Sequence, residues 1–526
     1  MVYRCFIICD FGGGVMFETI LSLRPVWAVC VSSVAAFLIL SLGEKIKPNL
    51  REGITLCAAL IKAVLIFSMI PAVRAGEDFS VTLFELADGV GFAFKADSLG
   101  MVFACVSSFL WIPTSVYSIG YMRGHREKNQ TGYFAAFAMC LCGAVGICFA
   151  ANLLTFFVFY EILTVATYPL VVHYRDEKGK KAGRKYLIYT LGSGQLFFAG
   201  MVLVYFLCGS LDFVPGGFIG GFMEGGSRNG FAIVIFVLLI TGGAVKAGVM
   251  PLHSWLPGAM VAPTPVSALL HAVAVVKAGA FCVLRIVFYT FGPELCRQLH
   301  IDDALCWVSA ATIICASLIA IGKDNLKARL AYSTVGQLSY IVLGAGLMNP
   351  QSVTGAVYHI AAHAFMKITL FMCAGAIFVT THKSQVSGMR GLGRRMPLTV
   401  TAFTAASLGI AGLPFMAGFV SKMNILAGAA AAGKLFYIVV LIASALLSLT
   451  YLIPVSYIAF SKKSPEPDFL SYDGKSLRGE ADLRMLAPLV LTAALSMILG
   501  ASPDFGAGLF SFAEAAASEI FGGELL

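Results

Sequence analysis

Apolar runs of about 20 residues recur from one end of the chain to the other, separated by short polar joints. Each is long enough to cross roughly 30 Å of hydrocarbon as a helix. Fourteen such spans are expected, at 25–43, 53–73, 98–120, 133–150, 152–173, 184–208, 229–250, 263–290, 303–321, 325–346, 352–380, 398–424, 434–460 and 485–502. Three stretches break the rhythm. Residues 75–97 alternate apolar and polar positions around Asp88–Gly89, which predicts an extramembrane hairpin. Residues 461–484 are polar and contain Pro465 and Pro467, as expected of a large loop. Residues 503–526 are rich in Ala, Gly and Phe with interspersed acids, and read as an interfacial segment rather than a fifteenth span. The N-terminal patch MVYRCFIICDFGGGVMFETI has no small-residue cleavage site, so a signal peptide is not expected, and Met16 is an alternative start. The expected fold is an all-α integral membrane protein. It divides into 1–132 (three helices and the hairpin), 133–460 (the functional core) and 461–526 (loop, last helix and tail).

Composition strengthens this picture. The chain is 59% hydrophobic and only 12% charged, against about 25% charged in soluble proteins. That excludes a soluble multidomain enzyme. No basic domain stands apart from the apolar runs, so nucleic acid is not an expected partner; the lipid bilayer is. Of the 37 basic residues, 24 fall in loops on one side of the fourteen spans and 7 on the other. The richer side is therefore expected to be cytoplasmic, with both termini outside, in the inner (plasma) membrane. The 14 cysteines are mostly single and within apolar runs, and no CxxC occurs, so they read as small core residues rather than metal ligands. No segment resembles a nucleotide or flavin domain, and no cofactor or metal is expected.

The remaining six basic residues, Lys62, Lys246, Lys277, Arg285, Lys367 and Lys422, lie within the spans. Charge at that depth is costly and marks ion or substrate paths. The stretch Thr241–Gly279 concentrates the signal, with Lys246, His253, His271, Lys277 and four prolines. A proline removes a backbone donor and frees a carbonyl one turn earlier. Broken helices survive at membrane depth only inside protein or against a wet cavity. The plainer reading is a proline kink with a snorkelling lysine. Glu161 is the clearest carboxylate within a span, and Lys246 or Lys277 could partner it, either as a working pair or as a fixed fastening between helices. His359, His363 and Lys367 recur at i, i+4 and i+8, on one helix face. They could relay protons or complete a polar core. Metal binding by HxxxH lacks a nearby third ligand. Lys422 follows Gly412, Pro414 and Gly418, a second loosened helix beside a lysine. The two broken spans, seventh and twelfth, are five apart, so spans four to eight and nine to thirteen would enter the membrane in opposite senses, as inverted repeats do. Lys62 is expected to face a neighbouring subunit, and Arg285 to snorkel to the membrane edge.

Four stretches carry a family resemblance: VKAGVMPLHSWLPGAMVAPTPVSALLHAVAVVKAG, DNLKARLAYSTVGQLSYIVLGAG, YHIAAHAFMKITLFMCAGA and GLPFMAGFVSKMNIL. They resemble the antiporter-like membrane subunits. These include the large pumping subunits of respiratory complex I, the A-type and D-type subunits of Mrp-type sodium/proton antiporters, and relatives in membrane-bound hydrogenases. The likeness covers roughly 90–460. It implies fourteen helices, two inverted five-helix repeats and broken helices seven and twelve. It implies that Glu161 and Lys246 are the essential acid and base of helices five and seven. Lys277 and His271 would be connecting groups on helix eight, His359, His363 and Lys367 the polar stripe of helix eleven, and Lys422 the terminal group on helix twelve. Lysine at 422 points away from the M-like branch of complex I, and the tail points away from the L-like branch; the D-type subunits of the Mrp antiporters fit best. Implied partners are other membrane subunits, H+ and in some branches Na+. Any NADH:quinone oxidoreductase activity would belong to the complex. The expected function is H+ or Na+/H+ translocation, with a carrier for a small organic solute as the rival.

Overall fold

Every one of the fourteen apolar runs is helical in the computed structural model, which describes residues 22–43, 47–77, 79–222, 229–461 and 479–523. The N-terminal patch with Met16 and most of the 461–484 loop lie outside the described residues. The helices begin with α1 (Arg24–Leu42), α2 (Pro48–Phe67) and the short α3 (Ile70–Arg74), followed by the hairpin β1 (Phe79–Ala87) and β2 (Val90–Ala96). Then come α4 (Ser98–Gly124), α5 (Gln130–Cys148), α6 (Leu153–Val171), α7 (Glu177–Cys208) and α8 (Asn229–Ala247). The broken region holds α9 (Trp255–Gly258), α10 (Thr264–Ala272) and α11 (Val275–Leu284), extended by a π-helical turn Arg285–Phe291. The remainder is α12 (Pro293–Gln298), α13 (Ile301–Ile321), α14 (Leu326–Gly346), α15 (Pro350–Thr381), α16 (Pro397–Ala411), α17 (Ala417–Ala431), α18 (Leu435–Ser461), α19 (Leu483–Ala501) and α20 (Leu509–Ile520).

Among the described residues, 12 helices are long and apolar enough to cross a membrane. The two remaining runs are α14, whose 21 residues are more polar, and the α16–α17 pair, which is split into two pieces of 15 residues. The chain is a multi-pass membrane protein. Helix starts follow local chemistry: Asp97, Asn152, Asp176 and Asn325 each accept a hydrogen bond from a first-turn N–H of α4, α6, α7 and α14. The hairpin forms as expected, with antiparallel strands turning at Asp88–Gly89. Lys95 N donates to Phe149 O at 2.7 Å and Asn152 Nδ2 to Gly91 O at 2.7 Å, tying it to the α5–α6 joint. The expected interfacial tail contains α20, whose Leu509, Phe512, Ala513, Ala516, Ala517 and Ile520 are buried against α15 and α4.

The core is built around α15. It is buried from Ser352 to Ile377 and contacts α4, α10, α14, α16, α17, α19 and α20. Both anticipated breaks are present. α8 ends at Ala247, where Gly248 takes a left-handed φ of 74°, and the chain runs through Pro251, Pro257 and Pro263 before α10. α16 ends at Gly412, whose φ is 90°, and α17 begins only after Pro414 and Phe415. A third break has no counterpart among the sequence expectations: α10 stops at Ala272 and α11 restarts at Val275, with Ala274 at φ −106°, ψ −94°. No proline or glycine marks it.

Two expectations fail. Lys62 does not face outward for a neighbouring subunit: it is fully buried, donating to Ser32 Oγ at 2.7 Å and to Leu141 O at 2.9 Å, with the Trp111 ring 5.3 Å away. Arg285 does not snorkel: it is 1% exposed and grips Asp97 through both terminal nitrogens, at 2.5 and 2.8 Å. Hydropathy gives the depth of such a residue but not the direction it faces around its helix.

Candidate functional site

The four predicted lysines are inside the protein, not at its lipid surface. Lys246, Lys277 and Lys367 are fully buried and Lys422 is 8% exposed. An ammonium group out of water needs acceptors, and each finds them on a different helix.

Lys246, in the last turn of α8, donates to the backbone carbonyl of Tyr160 on α6 at 2.6 Å, and its Nζ lies 3.1 Å from the centre of the Tyr160 ring. Tyr160 in turn donates its hydroxyl to Gly242 O at 2.5 Å, and Trp255 Nε1 to Val245 O at 2.7 Å. Thus the carbonyls around the broken end of α8 receive side-chain donors, as buried backbone requires. Glu161 follows Tyr160 directly, yet neither of its carboxylate oxygens has a hydrogen-bond partner among the described residues. In this structure Lys246 is held by the Tyr160 carbonyl and not by the Glu161 carboxylate. Room for the carboxylate comes from Gly194 on α7, where a Cβ would collide with Glu161 Oε1. α11 crosses α8 closely: at Gly279 a Cβ would strike the backbone of Lys246 and Ala247.

From α11 a second cluster continues. Lys277 Nζ is 2.8 Å from His363 Nδ1, the His363 and His359 rings are 5.7 Å apart, and His359 Nδ1 is 2.8 Å from Ser421 Oγ. Both histidines are fully buried, and His359 Nε2 has no partner among the described residues. The line therefore joins α11, α15 and α17. Lys422, next to Ser421, turns the other way. Its Nζ donates to Ile410 O at the broken end of α16 and sits 4.6 Å from the Tyr340 ring, which also stacks on His359 at 5.7 Å. Gly412 leaves space for the lysine stem, since a Cβ there would come 2.9 Å from Lys422 Cδ.

Lys367 continues the α15 stripe but leaves this line. It donates to Ser333 Oγ at 2.6 Å and Leu330 O at 3.3 Å on α14, and Ser333 bonds Tyr451 OH at 2.9 Å on α18. His271 lies in α10, beside the third break; its side chain lies outside the described residues. Sequence reasoning misses Tyr160, Gly194, Tyr340, Ser333, Ser421 and Tyr451. A lone tyrosine or serine in an apolar run gives no periodic signal.

A family model described as NADH:quinone oxidoreductase/Mrp antiporter, transmembrane, matches residues 150–448. The NADH-quinone oxidoreductase N subunit of Desulforudis audaxviator (strain MP104C) is 31% identical over 402 residues, covering 75% of this chain and 78% of that one. The D-type subunit of the Na(+)/H(+) antiporter of Bacillus subtilis (strain 168) is 25% identical, covering 79% and 81%. The NADH-quinone oxidoreductase L subunit of Escherichia coli (strain K12) is 30% identical, but this chain spans only 60% of its length. Among solved structures, the Mrp complex from Dietzia sp. DQ12-45-1b contains a chain that matches 96% of this one with a TM-score of 0.83 at 20% identity, a likeness of fold. The matched segment exceeds half of the 526 residues and includes Glu161, Lys246, Lys277, Lys367 and Lys422, and the chain belongs to the NADH:quinone oxidoreductase/Mrp antiporter transmembrane family.

Proposed function

We propose that this chain is a proton-translocating membrane subunit of a multisubunit complex. Translocation is assigned to residues 133–460, in the plasma membrane, with both termini outside and helices four to eight and nine to thirteen acting as inverted repeats. Glu161 and Lys246 form a switchable pair. When the pair parts, the Lys246 ammonium is left without its counter-charge in a medium of low dielectric, which favours handing its proton to the next group along the line. Lys277 and His271 receive it, His363 and His359 pass it along α15, and Lys422 releases it. Lys367 supplies a branch toward Ser333 and Tyr451. One observation carries this reading: the buried run Lys277–His363–His359–Ser421, in which three titratable groups from two helices end on a hydroxyl of a third. Moving one charge against 100 mV takes about 2.3 kcal/mol, within reach of a broken buried pair, whose disruption is worth roughly 3–5 kcal/mol.

The name of the Bacillus subtilis relative favours a second version, exchange of Na+ for H+. The rival solute carrier finds no support among the relatives, whose printed names are those of quinone oxidoreductase and cation/proton antiporter subunits. Purification of the native complex, identification of its subunits and reconstitution in sealed vesicles test the proposal. Proton movement independent of Na+ supports the pump, and strict Na+ dependence supports exchange. A complex that moves no protons with or without Na+ would refute both.

A further inference from the structure

The relay names no group on the membrane face that carries the hairpin. A cavity of about 250 Å³ opens there, walled by the end of β2, the start of α4, the α5–α6 joint, the loop at Phe213–Pro215, the π-helical turn and α20. Its polar lining is Glu77, Lys95, Asp97, Ser98, Tyr289 and Glu519. A space this size with several polar partners can hold water.

Three features make it more than a surface dent. Tyr289 is 1% exposed and lines the cavity, and its hydroxyl has no hydrogen-bond partner among the described residues. It stands on a π-helical turn, a local form that is frequent at functional sites. Asp97 is already answered, held by Arg285 and by the N–H of Gly100 at 2.8 Å. Glu519 is not tied in this way: Ser98 Oγ donates to its Oε1 at 2.5 Å. Glu519 is exposed as a residue, but desolvation of its carboxyl against the cavity wall, with Asp97 beside it, raises it above the ordinary glutamate value, against the Ser98 hydrogen bond and the charges of Arg285 and Lys95. The cavity floor points back toward the relay. Arg285 lies over the rings of Tyr289, Phe281 and Phe213 at 4.5, 5.1 and 5.2 Å. Phe156 then bridges Phe213 and Phe281 to Tyr160, the residue that holds Lys246. Aromatic rings thus connect the cavity floor to Tyr160.

We propose that this cavity is a hydrated proton-binding chamber on the transport path. Glu519 is the carboxylate that takes up and releases the proton, and the Tyr289 hydroxyl is its contact with the interior. The inference rests on the translocation reading for its place on a path, but proton binding at Glu519 can be measured without transport. The test uses the native complex in lipid, with pH-titrated infrared difference spectra and vesicle proton transport recorded on the same preparations. The parent complex should show a protonated-carboxyl band that titrates above solvent-exposed glutamates. Glu519→Gln, which keeps the shape and an acceptor for Ser98, should lose that band and slow transport. Tyr289→Phe, which removes only the hydroxyl, should shift the band, and serves if the first variant does not assemble. Glu161→Gln should keep the band while losing transport. An unchanged spectrum in Glu519→Gln, or a lost band with transport unchanged, would overturn the proposal. A band that behaves as expected in a complex without transport of any kind would count against the relay and not against proton binding in the chamber.

Discussion

The two broken helices share a device and differ in its surroundings. At each, a lysine beside the break docks on a backbone carbonyl and near a tyrosine ring: Lys246 on Tyr160 of a different span, and Lys422 on Ile410 across its own break, near Tyr340. Only the first has an acid next to its dock. Glu161 adjoins Tyr160, whereas the surroundings of Lys422 are Ser421, His359 and backbone. On the proposed translocation reading, this difference would put switching on the α6–α8 side and conduction or release on the α15–α17 side.

The largest expected effect breaks that contrast at its acid. Glu161→Ala or Lys246→Ala removes one member of a buried charge pair, worth roughly 3 kcal/mol or about a hundredfold in rate. Proton transport in vesicles should fall to background while the complex still assembles; normal transport in both would end the pairing idea. Next, Lys422→Gln should slow transport by about tenfold, the equivalent of 1.4 kcal/mol, and Lys422→Arg should restore part of it, since a release group must be charged but needs no switching partner. Equal losses at Lys422 and Lys246 would erase the distinction between the halves. Gly194→Ala should push a methyl group into the space of the Glu161 carboxylate. Overpacking of this kind costs about 1–3 kcal/mol, seen as a lower midpoint in thermal unfolding, and the displaced acid should favour the paired state and slow turnover. The smallest effect is Tyr160→Phe. It loses one hydroxyl bond to Gly242, worth about 1 kcal/mol, but keeps the ring and carbonyl that hold Lys246, so stability should drop slightly with transport nearly intact.

Much of this is legible in the chain. All fourteen apolar runs become helical, and twelve of them are long and apolar enough to cross a membrane on those grounds alone. The charged residues stand out because charge is rare in such runs. Partners are less legible. The sequence suggests that Glu161 and Lys246 meet, but not that Tyr160, one residue away, holds the lysine instead. The α15 stripe reads as one line, yet Lys367 leaves it, because each residue along a helix turns by about 100° and a stem of four carbons can reach either side. The break at Val273–Ala274 has no proline to announce it, and the contact between α11 and α8 depends on Gly279, one glycine among 54. Lys62 and Arg285 defeat sequence reasoning for the same reason: which way a side chain faces is decided by tertiary packing, not by composition.

The position of Tyr160 sets the mechanical scale of the device. Tyr160 and Glu161 are consecutive residues of α6, about 1.5 Å apart in rise along its axis. On the proposed reading, exchange of Lys246 between them would be a movement of one side chain between neighbouring residues. Lys246 is fully buried, so its stem would not move on the clock of an exposed side chain, and the packing around it would help to set the tempo of the cycle.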